Sequence, residues 1–201
     1  MTDTGDRSGA AINDRAHIAD WVKRAKKGDV DSYQRLYDVF ARRVLNFIYR
    51  MVNSPEEAED LTQETFVAVY RKLNTLKEND RFEAWLFRIA RNFVYQRYRA
   101  REPNMVSVEE LDEDGQPVTQ IPEAREGPEE SFEARELEDV VEGAIGSLPD
   151  KYREVFVLSA LQRLSYQEIA DIVGRSLASV KTDIHRARLA VRKQVKDYLR
   201  V

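Results

Sequence analysis

Apolar residues in the first half of the chain recur every three or four positions with polar residues between them, the period of helices buried along one side. From Asp31 to Val52 the stripe is Leu36, Val39, Phe40, Val44, Phe47, Ile48 and Met51, which predicts one long amphipathic helix. Ser54-Pro55-Glu56-Glu57 then supplies an N-cap, a proline at the first helical position and a capping-box glutamate, so another helix starts there and runs to about Leu73. Asn74 to Asp80 is polar and aperiodic, and reads as a loop. Asp80 and Glu83 offer a second capping box for a helix with Phe82, Trp85, Leu86, Ile89 and Phe93 on one side. Residues 20–101 are therefore expected to form one helical domain, preceded by a disordered extension over 1–19.

Between Glu102 and Glu133 the pattern breaks: four prolines and two glycines stand among acids with few apolar residues, the composition of a flexible linker. Helix resumes near Ser131 and continues in short segments, Leu137 to Ile145 and Pro149 to about Gln162. Ser165 with Glu168 forms a capping box for the next helix, and Ser176 caps the last. In that last helix Leu177, Val180, Ile184, Ala187, Val191 and Val195 step by three or four and define its buried side. Lys181, Thr182, His185, Arg186 and Arg188 lie off the stripe. No strand-like alternation is long enough to matter, so the fold class is all-α: two small helical domains, 20–101 and 134–201, joined by an acidic linker over 102–133.

Composition narrows the chemistry. The chain has no cysteine and only His17 and His185, which rules out disulfides, thiolate metal sites and an imidazole zinc cage; no cofactor is expected. Apolar runs such as Phe66 to Tyr70 are far too short to span a bilayer, so no stable membrane insertion is expected and the chain reads as cytoplasmic. The net charge of -4 hides a strong alternation along the sequence. Residues 81–101 carry six Arg and one acid, residues 102–142 fifteen acids and two Arg, and residues 175–200 eight Lys or Arg and two acids. Two basic blocks flanking an acidic one point to nucleic acid.

Ala170, Gly174 and Val180 have the spacing of a helix-turn-helix: a small residue where two helices cross, a flexible one in the turn and an apolar one beneath the second helix. Lys181, Thr182, His185 and Arg186 then form a row suited to major-groove base edges. Arg175 and Ser176 stand at a helix N-terminus, where a phosphate is favoured. Upstream, Arg81, Arg88, Arg91 and Arg97 interleave with aromatic residues, an arrangement fit for unpaired bases and their phosphates. For Trp85 alone, an aromatic at helical spacing, the core reading is the stronger. On the helix before the loop, the dipole accounts for Glu56 and Glu57 but less well for Asp60, Gln63 and Glu64.

Taken in order, Glu59-Asp-Leu-Thr-Gln-Glu-Thr-Phe66, Phe82-Glu-Ala-Trp-Leu-Phe-Arg-Ile-Ala-Arg-Asn92 and Leu164-Ser-Tyr-Gln-Glu-Ile-Ala170 with Val180-Lys181 and His185-Arg-Ala-Arg188 resemble the extracytoplasmic-function (ECF) class of bacterial RNA polymerase sigma factors. The resemblance covers about residues 21–199. It implies a non-enzymatic promoter-specificity subunit that binds core RNA polymerase at its clamp and upstream flap. It assigns Asp60, Gln63 and Glu64 to the clamp. Asn74, Leu76, Lys77, Asn79, Arg81, Trp85, Arg88, Arg91, Asn92 and Arg97 go to the minus-ten element, as a flipped base and a melted strand. Arg175, Ser176, Ser179, Lys181, Thr182, His185, Arg186 and Arg188 go to the minus-thirty-five element as duplex. An anti-sigma partner, a stress or envelope-response regulon and nucleoid association within the holoenzyme are further implications.

Two positions depart from the family pattern. Asp183 stands where a basic residue is more usual; it could accept from a cytosine amino group, pair with Arg186, or repel a phosphate. Gln162-Arg163 replaces an acid-glycine pair, so the turn before Leu164 is expected to differ. Two rival readings remain on the sequence alone: a free-standing DNA-binding regulator with a helical sensor in front, and a nuclease using Asp60 and Glu64 on a metal.

Overall fold

The computed structural model describes the backbone of residues 6–101 and 132–198, and among these every regular element is helical. The chain divides into two compact units, Met1–Arg101 and Glu102–Val201. Most of the expected linker lies outside the described residues; its last two positions already belong to a helix, Phe132–Gly146.

The first unit contains α1 (Asp6–Ala25), α2 (Val30–Val52), α3 (Pro55–Lys72) and α4 (Phe82–Arg101). Helix α1 begins inside the 1–19 stretch expected to be disordered. Packing rather than periodicity accounts for its later turns, where Val22 is completely buried and the Arg35 guanidinium lies 5.9 Å from the Trp21 ring centroid. The α2 stripe is the centre of the core: Leu36, Phe40, Val44, Phe47 and Ile48 have no exposed surface. Each such side chain contributes roughly 1.5–3 kcal/mol of burial free energy. Val39, expected on the stripe, is 43% exposed, and Ser32 takes a place on the buried side instead. Phe40 meets Phe82 edge-on at 5.4 Å and Phe47 meets Phe87 at 5.7 Å, fastening α2 to α4.

Ser54 caps α3 as expected, accepting from the Glu57 backbone N–H at 3.4 Å, with Pro55 at the first position. The Glu57 side chain does not complete a capping box and is not part of an exposed acidic face. It is buried, bonded to Arg101 at 2.6 Å and within 3.6 Å of Arg97. The second expected box, Asp80 with Glu83, also gives way to a tertiary contact, because Glu83 pairs with Arg43. Two short 3-10 turns, Leu73–Thr75 and Asn79–Arg81, bracket the loop before α4.

The second unit contains α5 (Phe132–Gly146), α6 (Asp150–Phe156), α7 (Tyr166–Val173) and α8 (Leu177–Tyr198). After α6 the chain widens into one π-helical turn, Val157–Leu161, and Arg163 then takes a left-handed φ of 57°. This is where the missing glycine makes itself felt, since an arginine Cβ is crowded in that conformation. The Ser165–Glu168 capping box is complete. Gly174 supplies the left-handed turn at φ 70° between α7 and α8.

Candidate nucleic-acid interface

On α8, Val180, Asp183, Ile184, Ala187 and Val191 are buried. At roughly 100° per residue they occupy one side of the helix, so Lys181, Thr182, His185, Arg186 and Arg188 share the opposite, exposed side. Leu189, Arg192 and Lys193 extend the same row; sequence reading missed them, although their spacing of three and four from His185 and Leu189 was a sufficient signal. Ser176 caps the helix by accepting from the Ser179 N–H at 3.2 Å. Thr182 donates its hydroxyl proton to the Ala178 carbonyl at 3.0 Å, so on this exposed side chain the hydroxyl oxygen is left to act as an acceptor. Arg186 is steadied by a 3.1 Å hydrogen bond to the Tyr152 hydroxyl on α6.

Asp183 fits none of the three roles considered for it. It is 3% exposed, and its carboxylate accepts from Arg175 at 2.6 Å and from the Ser179 hydroxyl at 3.5 Å, with Lys151 3.8 Å away. Arg175 also lies 3.6 Å from the buried Glu154. The helix N-terminal arginine is therefore the centre of an internal ion cluster joining α6, the turn and α8, and only 23% of its side chain is exposed. Ser179 leans into the same cluster.

In the first unit, Asp60, Gln63 and Glu64 are exposed along α3, one or two turns beyond the inward-facing Glu57. They line an open groove with Val67, Ala68, Arg71, Lys72 and Phe93. Phe93, expected in the core, is instead half-exposed on this groove, and Val67 is 49% exposed beside it. The carboxylates stand at the Asp60–Glu64 end of the groove and the cations Arg71 and Lys72 at the other, and the acidic end beside Val67 suits a basic protein surface better than a phosphate backbone.

The loop presents Asn74, Lys77 and Arg81 to solvent, whereas the Leu76 side chain is 7% exposed and points inward. Asn79 is half-buried and accepts from Lys26. Arg88 and Asn92 are exposed on α4. Trp85 is half-buried, 6.2 Å from the Phe82 ring, and so combines the two readings considered for it. The Arg91 guanidinium lies 4.3 Å over the Tyr95 ring, and Tyr95 meets Tyr98 edge-on at 5.7 Å. This aromatic and guanidinium surface has the elements of a single-strand platform. Arg97 belongs to it less fully, being drawn towards Glu57.

Among the described residues no helix is long and apolar enough to cross a membrane, and no cluster of three His, Cys, Asp or Glu side chains could hold a metal.

Comparison with known proteins identifies the family and the fold. The model of Sigma-70 region 2 matches residues 36–103, and that of Sigma-70 region 4 matches residues 138–191. The ECF RNA polymerase sigma factor SigW of Bacillus subtilis is 36% identical over 178 residues, 88% of this chain and 95% of that protein. Two solved structures share the fold at 23% identity: CnrH in complex with the cytosolic domain of CnrY, with a TM-score of 0.65 over 90% of this chain and 98% of that one, and the Bartonella quintana sigma factor RpoE in complex with the anti-sigma factor NepR, with 0.64 over 82% and 96%. With both regions matched in order and a relative this similar over nearly its whole length, the chain belongs to the ECF class of RNA polymerase sigma factors, which direct transcription initiation at promoters.

Proposed function

We propose that this sigma factor docks on core RNA polymerase through Asp60, Gln63 and Glu64, with Val67 and Phe93 supplying the apolar centre of the contact. The observation that carries this reading is the exposed run of Asp60, Gln63 and Glu64 at one end of the α3 groove, set apart from Arg71 and Lys72 at its other end by Val67 and Ala68, with a separate Arg-aromatic surface on α4. The acidic end of the groove takes the clamp, while the loop and α4 take the minus-ten element as melted strand. Asn74, Lys77, Asn79 and Arg81 surround a flipped base, and Trp85, Arg88, Arg91, Asn92 and Arg97 follow the strand. Flipping costs a few kcal/mol, which stacking of about 1–3 kcal/mol per base and phosphate contacts offset.

The second unit reads the minus-thirty-five duplex through Lys181, Thr182, His185 and Arg186, with Arg188 and Ser176 on the phosphates and Arg175 and Ser179 holding the helix beneath. The domain assignment follows: 20–101 for polymerase and the melted strand, 134–201 for the duplex and the flap, 102–133 as the acidic connection through the polymerase channel. An anti-sigma factor that covers these faces is a further partner, in keeping with the NepR-bound RpoE structure of the same fold. The protein acts without covalent chemistry, in the cytoplasm and on the nucleoid, on a stress or envelope-response regulon that transcript profiling after overexpression identifies.

Run-off transcription with purified core polymerase tests the central claim. The chain should direct a discrete transcript, and Asp60→Lys with Glu64→Lys should abolish it by weakening core binding. If the double reversal binds core polymerase as the unaltered protein does, the docking assignment is wrong. A chain that neither binds core nor directs transcription while still binding duplex DNA would be a free-standing regulator.

A further inference from the structure

A cation outside every contact assigned above holds the base-capturing loop in shape. The Lys26 ammonium donates to the Leu76 carbonyl at 2.5 Å and to Asn79 Oδ1 at 2.5 Å, across fifty and fifty-three residues of sequence. Those acceptors stand at the two ends of the short stretch between the 3-10 turns, so one ammonium closes the bend from which Lys77 and Glu78 project. Both bonds are charge-assisted and half-buried, about twice as strong as neutral ones.

The other end of the tether is fixed as well. The Lys26 N–H donates to the Val22 carbonyl at 3.0 Å, extending the last turn of α1. Gly28 at φ 92° turns the chain, and Asp29 secures the turn by pairing with Arg24 at 2.7 Å and accepting from the Ser32 hydroxyl at 2.7 Å. On the loop side, Leu76 is buried and Asn79 opens the turn that leads through Arg81 into α4. The loop from Leu73 to Glu78 has two apolar side chains, Leu73 and Leu76, both buried, while Asn74, Thr75, Lys77 and Glu78 are exposed, so the Lys26 ammonium is the charged contact that reaches its backbone from another helix.

From these contacts we infer that Lys26 is a positioning residue for promoter melting. It does not touch the strand; it sets the spacing of Leu76 and Asn79, and so the geometry in which Asn74, Lys77 and Asn79 meet an extruded base. This inference rests on the proposed role of the loop. Without the tether, ordering the loop becomes part of the cost of capturing the base, and discrimination at that one position falls while the rest of the interface is untouched.

The test uses holoenzyme, formed from the full chain and core polymerase, binding forked promoter DNA whose non-template strand carries an abasic site at each minus-ten position in turn. Unaltered protein should lose roughly tenfold in affinity at one position. Lys26→Met should reduce that loss to about twofold, with core affinity and affinity for minus-thirty-five duplex unchanged, a lower melting temperature of the first unit from the two lost ammonium bonds, and faster amide exchange confined to residues 74–80. Lys26→Arg should restore part of the discrimination. Full discrimination by Lys26→Met overturns the inference, as does a lowered melting temperature accompanied by an unchanged abasic ratio. Should Lys26→Met fail to fold, Lys26→Gln, which keeps a shorter neutral donor, is measured in its place against the same outcomes. If the unaltered protein shows no abasic-sensitive position, the loop is not a base pocket and the underlying reading fails first.

Discussion

Replacing Arg175 by methionine should destabilise the second unit by about 1 kcal/mol more than neutralising its partner does. Methionine keeps much of the aliphatic stem but leaves Glu154 and Asp183, with side chains 2% and 4% exposed, without the guanidinium they share. Removing one member of a buried ion pair costs about 3–5 kcal/mol. Lys151, 3.8 Å from Asp183 and half-exposed, recovers no more than a surface pair does, about 1 kcal/mol or less. The expected cost of Arg175→Met is therefore about 3 kcal/mol. Asp183→Asn keeps the shape and leaves Arg175 beside Glu154 and the Lys151 carbonyl, so its cost is the loss of one charged hydrogen bond, about 1.5–2 kcal/mol. In the double variant the costs should fall short of their sum by at least about 1 kcal/mol.

Urea denaturation of the full chain separates this effect from any global one. The two tryptophans, Trp21 and Trp85, both belong to the first unit, so their fluorescence reports that unit alone while far-UV circular dichroism reports both. A loss of 3 kcal/mol lowers the dichroism midpoint of the second unit by about 1–3 M urea, and the fluorescence midpoint should not move. Equal costs for Arg175→Met and Asp183→Asn would refute the cluster as described. If Arg175 acted only on a phosphate, its replacement would leave both midpoints alone and lower the salt slope of DNA binding by about one.

Arg163→Gly should raise the stability of the second unit by about 0.5–1 kcal/mol, since relief of the left-handed backbone exceeds the entropy gained by the unfolded chain; an unchanged or lower dichroism midpoint would contradict this. Burial, with Tyr37 and Tyr70 nearby, pushes the Tyr33 hydroxyl from its ordinary 10.0 up to about 12. Its neutral form, which donates to the Phe66 carbonyl, belongs to the folded state, so the stabilisation is whole below pH 10 and is lost as pH rises towards 12. Fluorescence-monitored urea midpoints of the first unit should fall through that window, less steeply in Tyr33→Phe; identical slopes would exclude Tyr33 as the source. Lys181→Ala and Arg186→Ala should each cost roughly 1–3 kcal/mol on the cognate duplex and relax base preference locally, whereas equal losses on all sequences would restrict them to phosphate. Tyr152→Phe, which removes the Tyr152 hydrogen bond to Arg186, should cost about 0.5–1 kcal/mol in the same binding assay.

What the sequence made legible was local. The Ser54 cap and Pro55 start of α3, the Ser165–Glu168 box and the α8 stripe depend on neighbours within a few residues, and each stands where periodicity and capping chemistry put it. What stayed hidden was the destination of polar side chains. Glu57 reads as a dipole-stabilised surface acid until α4 brings Arg101 to it from 44 residues away. Asp183 reads as a DNA-facing anomaly until the turn folds Arg175 over it. Lys26 carries no signal, because its acceptors are a backbone carbonyl and a side chain on the far side of two helices. Phe93 fits a helical stripe as well as Leu86 does, and only the packing of α3 against α4 decides that one edge of the stripe stays in the groove.

Glu57 also changes how the basic block of α4 behaves towards salt. Six arginines over residues 81–101, each neutralising one phosphate of a single strand, would release counterions with a logarithmic slope of about -4. With the single charge of Glu57 bonded to Arg101 at 2.6 Å and Arg97 more loosely beside it at 3.6 Å, one of the six positive charges is cancelled inside the fold, so the ions displaced by the strand correspond to about five phosphates and a slope nearer about -3.5. A charge that never reaches the surface thus makes the grip on the melted strand less sensitive to ionic strength than the sequence of that helix suggests.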